Sequence, residues 1–159
     1  MTSSTMATVT LPTDEQILIT REFDAPPELV FRAWTTPELV ERWWHAKRGK
    51  VTLVEIDLRV GGSWRQVMVA DGGLEVGFHG EYREIVPNER IVSTEVFEGA
   101  PDAESVNTLT LEEVDGRTRM TLLVQHDSRA GRDAQIESGM EAGLQDALQL
   151  LEEVARSLR

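Results

Sequence analysis

The sequence predicts a layered α+β domain in which an antiparallel meander of strands is covered by one long C-terminal helix. Two observations carry this expectation. From Asp133 to Leu158, the residues Ile136, Met140, Gly143, Leu144, Ala147, Leu151, Val154, Ala155 and Leu158 recur at three- and four-residue steps, the spacing that sets one stripe along an α-helix. Residues 133–158 as a single helix would run roughly 39 Å and need a large apolar surface to lie against. Upstream, short alternating segments separated by Gly, Asp and Asn turns read as strands joined by hairpins, and such a meander must bury one face.

At 159 residues the chain is long enough for one sizeable core, and 40% hydrophobic content with four tryptophans is a globular composition. Residues 1–14 are expected to form a flexible leader, with the domain over residues 15–159. Met1 to Thr13 is Ser/Thr-rich, without basic residues or an apolar run, which does not match a secretory signal. No stretch approaches the run a membrane span needs, so no membrane insertion is expected. The absence of cysteine excludes disulfides and thiolate chemistry, and a cytoplasmic location is the default expectation. A balance of 16 basic and 28 acidic residues, net −12, argues against nucleic acid as a partner.

The elements follow in order. Gln16 to Phe23 alternates as a strand. Asp24-Ala25-Pro26-Pro27-Glu28 opens a short helix, with prolines in the first turn and an acid at its positive end; its buried side is Leu29, Val30, Ala33 and Trp34. Thr36-Pro37-Glu38 starts a second short helix carrying Leu39, Val40, Trp43 and Trp44. After a basic loop from His45 to Lys50, strands are expected at Thr52–Val60, Ser63–Ala70, Leu74–Val86, Arg90–Glu98, Val106–Val114 and Thr118–His126. The first of these places Val54, Ile56, Leu58 and Val60 on one face. Asp71-Gly72-Gly73 and Asp115-Gly116 are hairpin turns. The segment Asp127 to Arg132 is a loop leading into the long helix.

Several motifs in this order resemble a known family: Arg21-Glu22-Phe23-Asp24-Ala25-Pro26, Val30-Phe31-Arg32-Ala33-Trp34-Thr35, Pro37-Glu38-Leu39-Val40, Trp43-Trp44, Asp57-Leu58-Arg59-Val60-Gly61-Gly62, His79-Gly80-Glu81-Tyr82 and Pro87-Asn88-Glu89-Arg90-Ile91-Val92. Over residues 15 to 158 the chain is similar to the START-like (SRPBCC) superfamily and, within it, to the family named after the activator of the heat-shock protein 90 ATPase. The resemblance implies a helix-grip fold, a curved antiparallel sheet of six to seven strands around the long C-terminal helix, with two short helices after the first strand. In the family the tryptophan pair is usually followed by a Gly-Pro-like loop, whereas here Trp44 meets His45-Ala46-Lys47-Arg48. Superfamily members include ligand binders, cyclases and chaperone regulators, and one fold hosts many activities. Bacterial stand-alone members of the family mostly lack a known role. A homodimer or a protein partner is also compatible with the resemblance, although no interface stripe is legible.

A helix over a curved sheet leaves a gap where small hydrophobic ligands bind. The candidates to line it are Trp34, Trp64, Gln66, Met68, Phe78, Tyr82, Met120, Leu122, His126, Glu137, Met140 and Leu144. His126 follows Met120, Leu122 and Val124 at period two, so it is either an inward base or anchor or a strand-end histidine. Glu137 stands at the edge of the helix stripe, as an anchor or as a surface carboxylate. Gln66 shares a face with Trp64 and Met68, but the alternation of Arg65, Val67 and Val69 leaves the inward face of that strand open. His79 and Glu81 lie opposite Phe78 and Tyr82, on the solvent side. With His126 they lack ligand spacing, so no metal and no cofactor is expected. No nucleophile motif or phosphate loop is present. Three readings stand: a carrier of a small hydrophobic or amphipathic ligand, a chaperone-regulator-like interaction module, and a cyclase- or hydrolase-like enzyme working in the same cavity.

Overall fold

The computed structural model describes residues 6–159. Among them lie eight strands and four helices: β1 (Thr8–Thr10), β2 (Gln16–Phe23), α1 (Pro27–Thr35), α2 (Pro37–Val40), β3 (Gly49–Ile56), β4 (Ser63–Ala70), β5 (Glu75–Val86), β6 (Arg90–Phe97), β7 (Glu104–Val114), β8 (Arg117–His126), α3 (Arg129–Glu137) and α4 (Met140–Ser157). All strands join one antiparallel sheet in the order β1-β2-β8-β7-β6-β5-β4-β3. The meander β3 to β8 is sequential, because tight turns leave each strand beside its predecessor. β2 closes onto β8, and the helical insert α1–α2 carries the chain to the far edge. Register irregularities at Val51/Leu53 and Tyr82/Glu84 bend the ladder.

One strand more than expected is present. Thr8–Thr10 lies in the stretch read as leader, yet it pairs with Leu18–Thr20. A single side chain ties the residue before it to the last helix: Gln145 accepts from the Ala7 amide and donates to the Ala7 carbonyl, each at 2.8 Å. That long-range clamp has no local signature. Residues 1–5 of the expected leader lie outside the described residues.

The expected single helix over 133–158 is two helices. Gly139 sits at φ 80°, left-handed backbone that side chains adopt at a cost, and the chain changes direction there. α3 starts earlier than predicted, at Arg129, because the Ser128 hydroxyl accepts the Gly131 amide as an N-cap. α4 buries Ala147, Leu148, Leu151, Val154 and Ala155; each fully buried leucine stabilises by about 1.5–3 kcal/mol.

Smaller departures have local causes. α1 is capped by Pro26 without a side-chain hydrogen bond, and the Asp24 amide just before it donates to the Glu152 carboxylate at 2.8 Å. α2 stops at Val40, so Trp43 and Trp44 lie in the following turns; Trp43 is buried and its indole donates to the Ala33 carbonyl at 2.9 Å. Leu58 and Val60 do not continue the inward face of β3. The ladder ends at Ile56, Asp57 and Arg59 form a local turn and ion pair, and both apolar side chains are exposed.

Candidate functional site

The core cluster defines the inner face of the sheet. Ile17 and Ile19 of β2, Met120, Leu122 and Val124 of β8, Leu109 and Leu111 of β7, and Ile91 of β6 lie on it with Trp64, Phe78 and Tyr82. Strand alternation then fixes what else faces the same way. On β4 it is Trp64, Gln66 and Met68, opposite Gly80, Phe78 and Val76, which resolves the open question about this strand. On β6 it is Ile91, Ser93, Glu95 and Phe97, and on β7 Ser105 and Asn107.

This inner face is sealed at one side and open at the other. Around β2 and β8, Ile17, Ile19 and Met120 are at most 1% exposed. Towards β4–β6, Gln66, Met68, Phe78, Ser93 and Glu95 are only half-buried, and Phe97, though on the inner face, is 43% exposed. Met140 and Leu144 of α4 pack against the core and remain half-buried themselves. The inner face opposite the start of α4 is therefore the less covered part of the sheet. Along it three rings run in series: Trp44 meets Phe78 edge-on at 5.9 Å, and Phe78 meets Phe97 at 5.2 Å.

Beside the rings stands a polar row. The strand register puts Glu95, Ser105 and His126 directly opposite one another on three neighbouring strands. Asn107, two residues from Ser105 on the same face, hydrogen-bonds the Glu95 carboxyl, and the Ser105 hydroxyl donates to Asn107 Oδ1 at 3.2 Å. His126 is buried; its Nε2 bonds Gln135 Oε1 on α3, while Nδ1 is buried without a hydrogen-bond partner and abuts the first turn of α3 at Gly131. Burial pushes the Glu95 carboxyl above the ordinary carboxylate range, and the Asn107 hydrogen bond opposes that rise only in part.

Tyr82 lies on the same face, buried, with its phenol pushed up to about 12 by loss of hydration and then by the negative charge of Asp57. The Trp64 indole donates to the Thr94 carbonyl at 3.2 Å across Gly80, where any side chain would collide with that carbonyl. Of the other expected lining residues, Met120 is fully buried core and Leu122 is half-buried on the inner face. Trp34 is partly buried against the core and packs on Trp43 at 5.2 Å. Glu137 is exposed at the end of α3, because the break at Gly139 takes this turn off the stripe.

Sequence reasoning missed Glu95, Asn107, Ser105 and Phe97. Glu95 alternates with Ile91, Ser93 and Phe97, which offered a hint, but the opposite face of β6 reads as Val92, Thr94, Val96 and Glu98 and is no less apolar. On that outer face Glu98 covers Gly77 and takes hydrogen bonds from Arg65 and His79 at 2.9 Å, which hold its carboxyl down to about 2. His79 is thus a partner in an exposed ion pair, and among the described residues no cluster of His and carboxylates suits a metal ion. A depression of about 510 Å³ at the other end of β6 and β7, between Pro27, Asn88, Arg90 and Glu112, holds none of these groups. No helix among the described residues is long and apolar enough to cross a membrane.

Comparisons with known proteins agree with this architecture. No curated protein matches the chain. A protein from Rhodobacter sphaeroides superposes with a TM-score of 0.88 at 25% identity, covering 96% of this chain and 99% of that one. A protein from Nitrosomonas europaea gives 0.83 at 25% identity, covering 92% and 97%. One from Arthrobacter aurescens gives 0.84 at 25% identity, covering 94% and 91%. Residues 24–156 match the model of the activator of Hsp90 ATPase homolog 1-like proteins. The chain belongs to that family, and with it to the START-like superfamily.

Proposed function

We propose that this protein binds a small hydrophobic or amphipathic molecule in the groove between the inner face of the sheet and the start of α4. The observation that carries the reading is the half-open inner face itself. A sheet covered by a helix ordinarily seals its large apolar side chains, yet here Phe78, Phe97, Met68 and Leu144 keep accessible surface beside a partly buried polar row. Ligand sites have this composition, apolar and aromatic walls with a few convergent polar groups.

The interaction-module reading draws on an exposed apolar patch at the tryptophan pair. Trp43 is buried and Trp44 is half-buried against Phe78, so the groove reading is the better supported. Two measurements test it. Native mass spectrometry of the protein purified from its own host, with organic extraction, is expected to yield a discrete small molecule. The delipidated protein is expected to enhance the fluorescence of N-phenyl-1-naphthylamine saturably at one site, with the extract competing. A protein that carries nothing and gives no saturable signal would overturn the reading.

A further inference from the structure

We propose that β3, the open edge of the sheet, pairs antiparallel with β3 of a second copy of this chain, about a two-fold axis between Thr52 and Leu53. β3 is the last strand of the sheet and is bonded to β4 on one side alone. The phase of that ladder identifies the backbone groups left over. At one end the Arg48 carbonyl accepts the Asp71 amide, and at the other the Asp57 amide donates to the Ser63 carbonyl. Residues bonded to a neighbouring strand alternate with residues directed away from it. Gly49, Val51, Val54 and Ile56 therefore turn their backbone groups away from β4, and no loop backbone among the described residues hydrogen-bonds to them. Such a row is a template for another strand.

The residues of β3 select a second β3 as the occupant. The register shift between Val51 and Leu53 makes Thr52 an extra residue, and this resets the alternation of faces. Lys50, Leu53 and Glu55 stand on the outer face, opposite Val69, Val67 and Arg65, while Val51, Val54 and Ile56 stand on the inner face, opposite Met68, Gln66 and Trp64. Pairing about the proposed axis sets Lys50 against Glu55 on the outer face and Val51 against Val54 on the inner one. In a strand without the bulge the same register would oppose inner to outer residues. The backbone agrees: Val51 meets Val54 and Gly49 meets Ile56, so the residues whose amides and carbonyls are left over bond to one another. The charges agree as well. Lys50 and Glu55 are exposed; Lys50 faces Val69 across the ladder, and the Arg65 opposite Glu55 is taken by Glu98 at 2.9 Å. A lysine on an edge strand deters a partner that leaves it uncompensated, whereas the two-fold brings a carboxylate opposite it in both copies.

The test is the mass of the full chain in solution, by sedimentation velocity at about 10 µM and about 200 µM, because a pair of eight-residue strands covers less than a standard interface and associates weakly. The wild-type chain is expected to pass from monomer to dimer over this range. Lys50→Glu opposes carboxylate to carboxylate at both charged pairs, and Glu55→Lys opposes ammonium to ammonium. Each alone is expected to stay monomeric at the higher concentration, with an unchanged circular dichroism spectrum. Mixed in equal amounts, the two variants again oppose unlike charges and are expected to form the heterodimer; the double variant Lys50→Glu with Glu55→Lys should form the homodimer. Should a single variant misfold, Val54→Pro, which removes an outward amide and no bond to β4, is expected to lose the dimer in its place. A wild-type chain that stays monomeric, single variants that dimerise as well as wild type, or a folded mixture that stays monomeric would each overturn the proposal.

Discussion

Tyr82 is the only tyrosine in the chain, so its ionisation is readable by absorbance near 295 nm without ambiguity. Burial and then the charge of Asp57 hold the phenol up at about 12. Being an acid with a raised pKa, it keeps its proton in the folded chain where the unfolded chain has lost it. Its contribution to stability is thus complete below the ordinary value of 10.0 and is lost as pH rises towards about 12. A folded-state titration midpoint near 10 would show that the phenol is hydrated and the inner face wider open than described. Glu95 obeys the same sign at lower pH. Its carboxyl is raised from 4.5, so stability falls as pH rises from that value through the folded pKa. Glu95→Gln, which keeps an oxygen for Asn107, should be more stable than wild type at pH 8 and gain little at pH 4, by urea unfolding. An equal difference at both pH values would mean that folding leaves the Glu95 carboxyl unshifted. Neither residue's setting was equally legible. Tyr82 alternates with Phe78 against exposed His79 and Glu81, a clean period of two, whereas β6 is apolar on both faces and hid Glu95.

At the scale of elements, the last helices show where periodicity reaches its limit. The stripe from Ala147 to Ala155 was legible because burial follows the 3.6-residue period, and the expectation of a continuous helix failed at Gly139, since a glycine is compatible both with a helix interior and with the left-handed turn it makes here. Gly139→Ala meets no neighbouring atom within 4 Å, so only the backbone resists it; a loss of about 1–2 kcal/mol is expected. A neutral or stabilising outcome in denaturant unfolding would mean that α3 and α4 readily merge. Burial also ranks the leucines of α4. Leu148, at 1% exposed, should cost about 2–5 kcal/mol when cut to alanine, and half-buried Leu144 distinctly less, because its neighbours already border the groove. If the two variants lose the same stability by thermal or urea unfolding, the groove is closed at Leu144.

At the scale of the whole molecule, β2, the last helix and the helical insert share one largely buried charged pair. Arg21 on β2 is 2% exposed in its side chain, lies 4.7 Å over the Phe23 ring, and reaches Glu152 of α4 at 3.5 Å. Glu152 also accepts the Asp24 amide at the entrance to α1, so one carboxylate fastens the sheet, the last helix and the insert together. The sequence places Glu152 on the polar side of the stripe, since a carboxylate there reads as solvated, and only the fold brings Arg21 beneath it. Burial lowers the Arg21 pKa and Glu152 opposes that shift only in part, so the pair's attraction does not fully offset its desolvation. Removing one partner should then cost much more than removing both. Glu152→Gln is expected to destabilise by about 3 kcal/mol. The double variant Arg21→Met with Glu152→Gln, which retains an acceptor for Asp24, should recover more than half of that loss. Urea unfolding of the four chains of this cycle decides it: additive losses would mean that the pair acts as two independent packing residues, and the carboxylate would hold the insert through Asp24 alone.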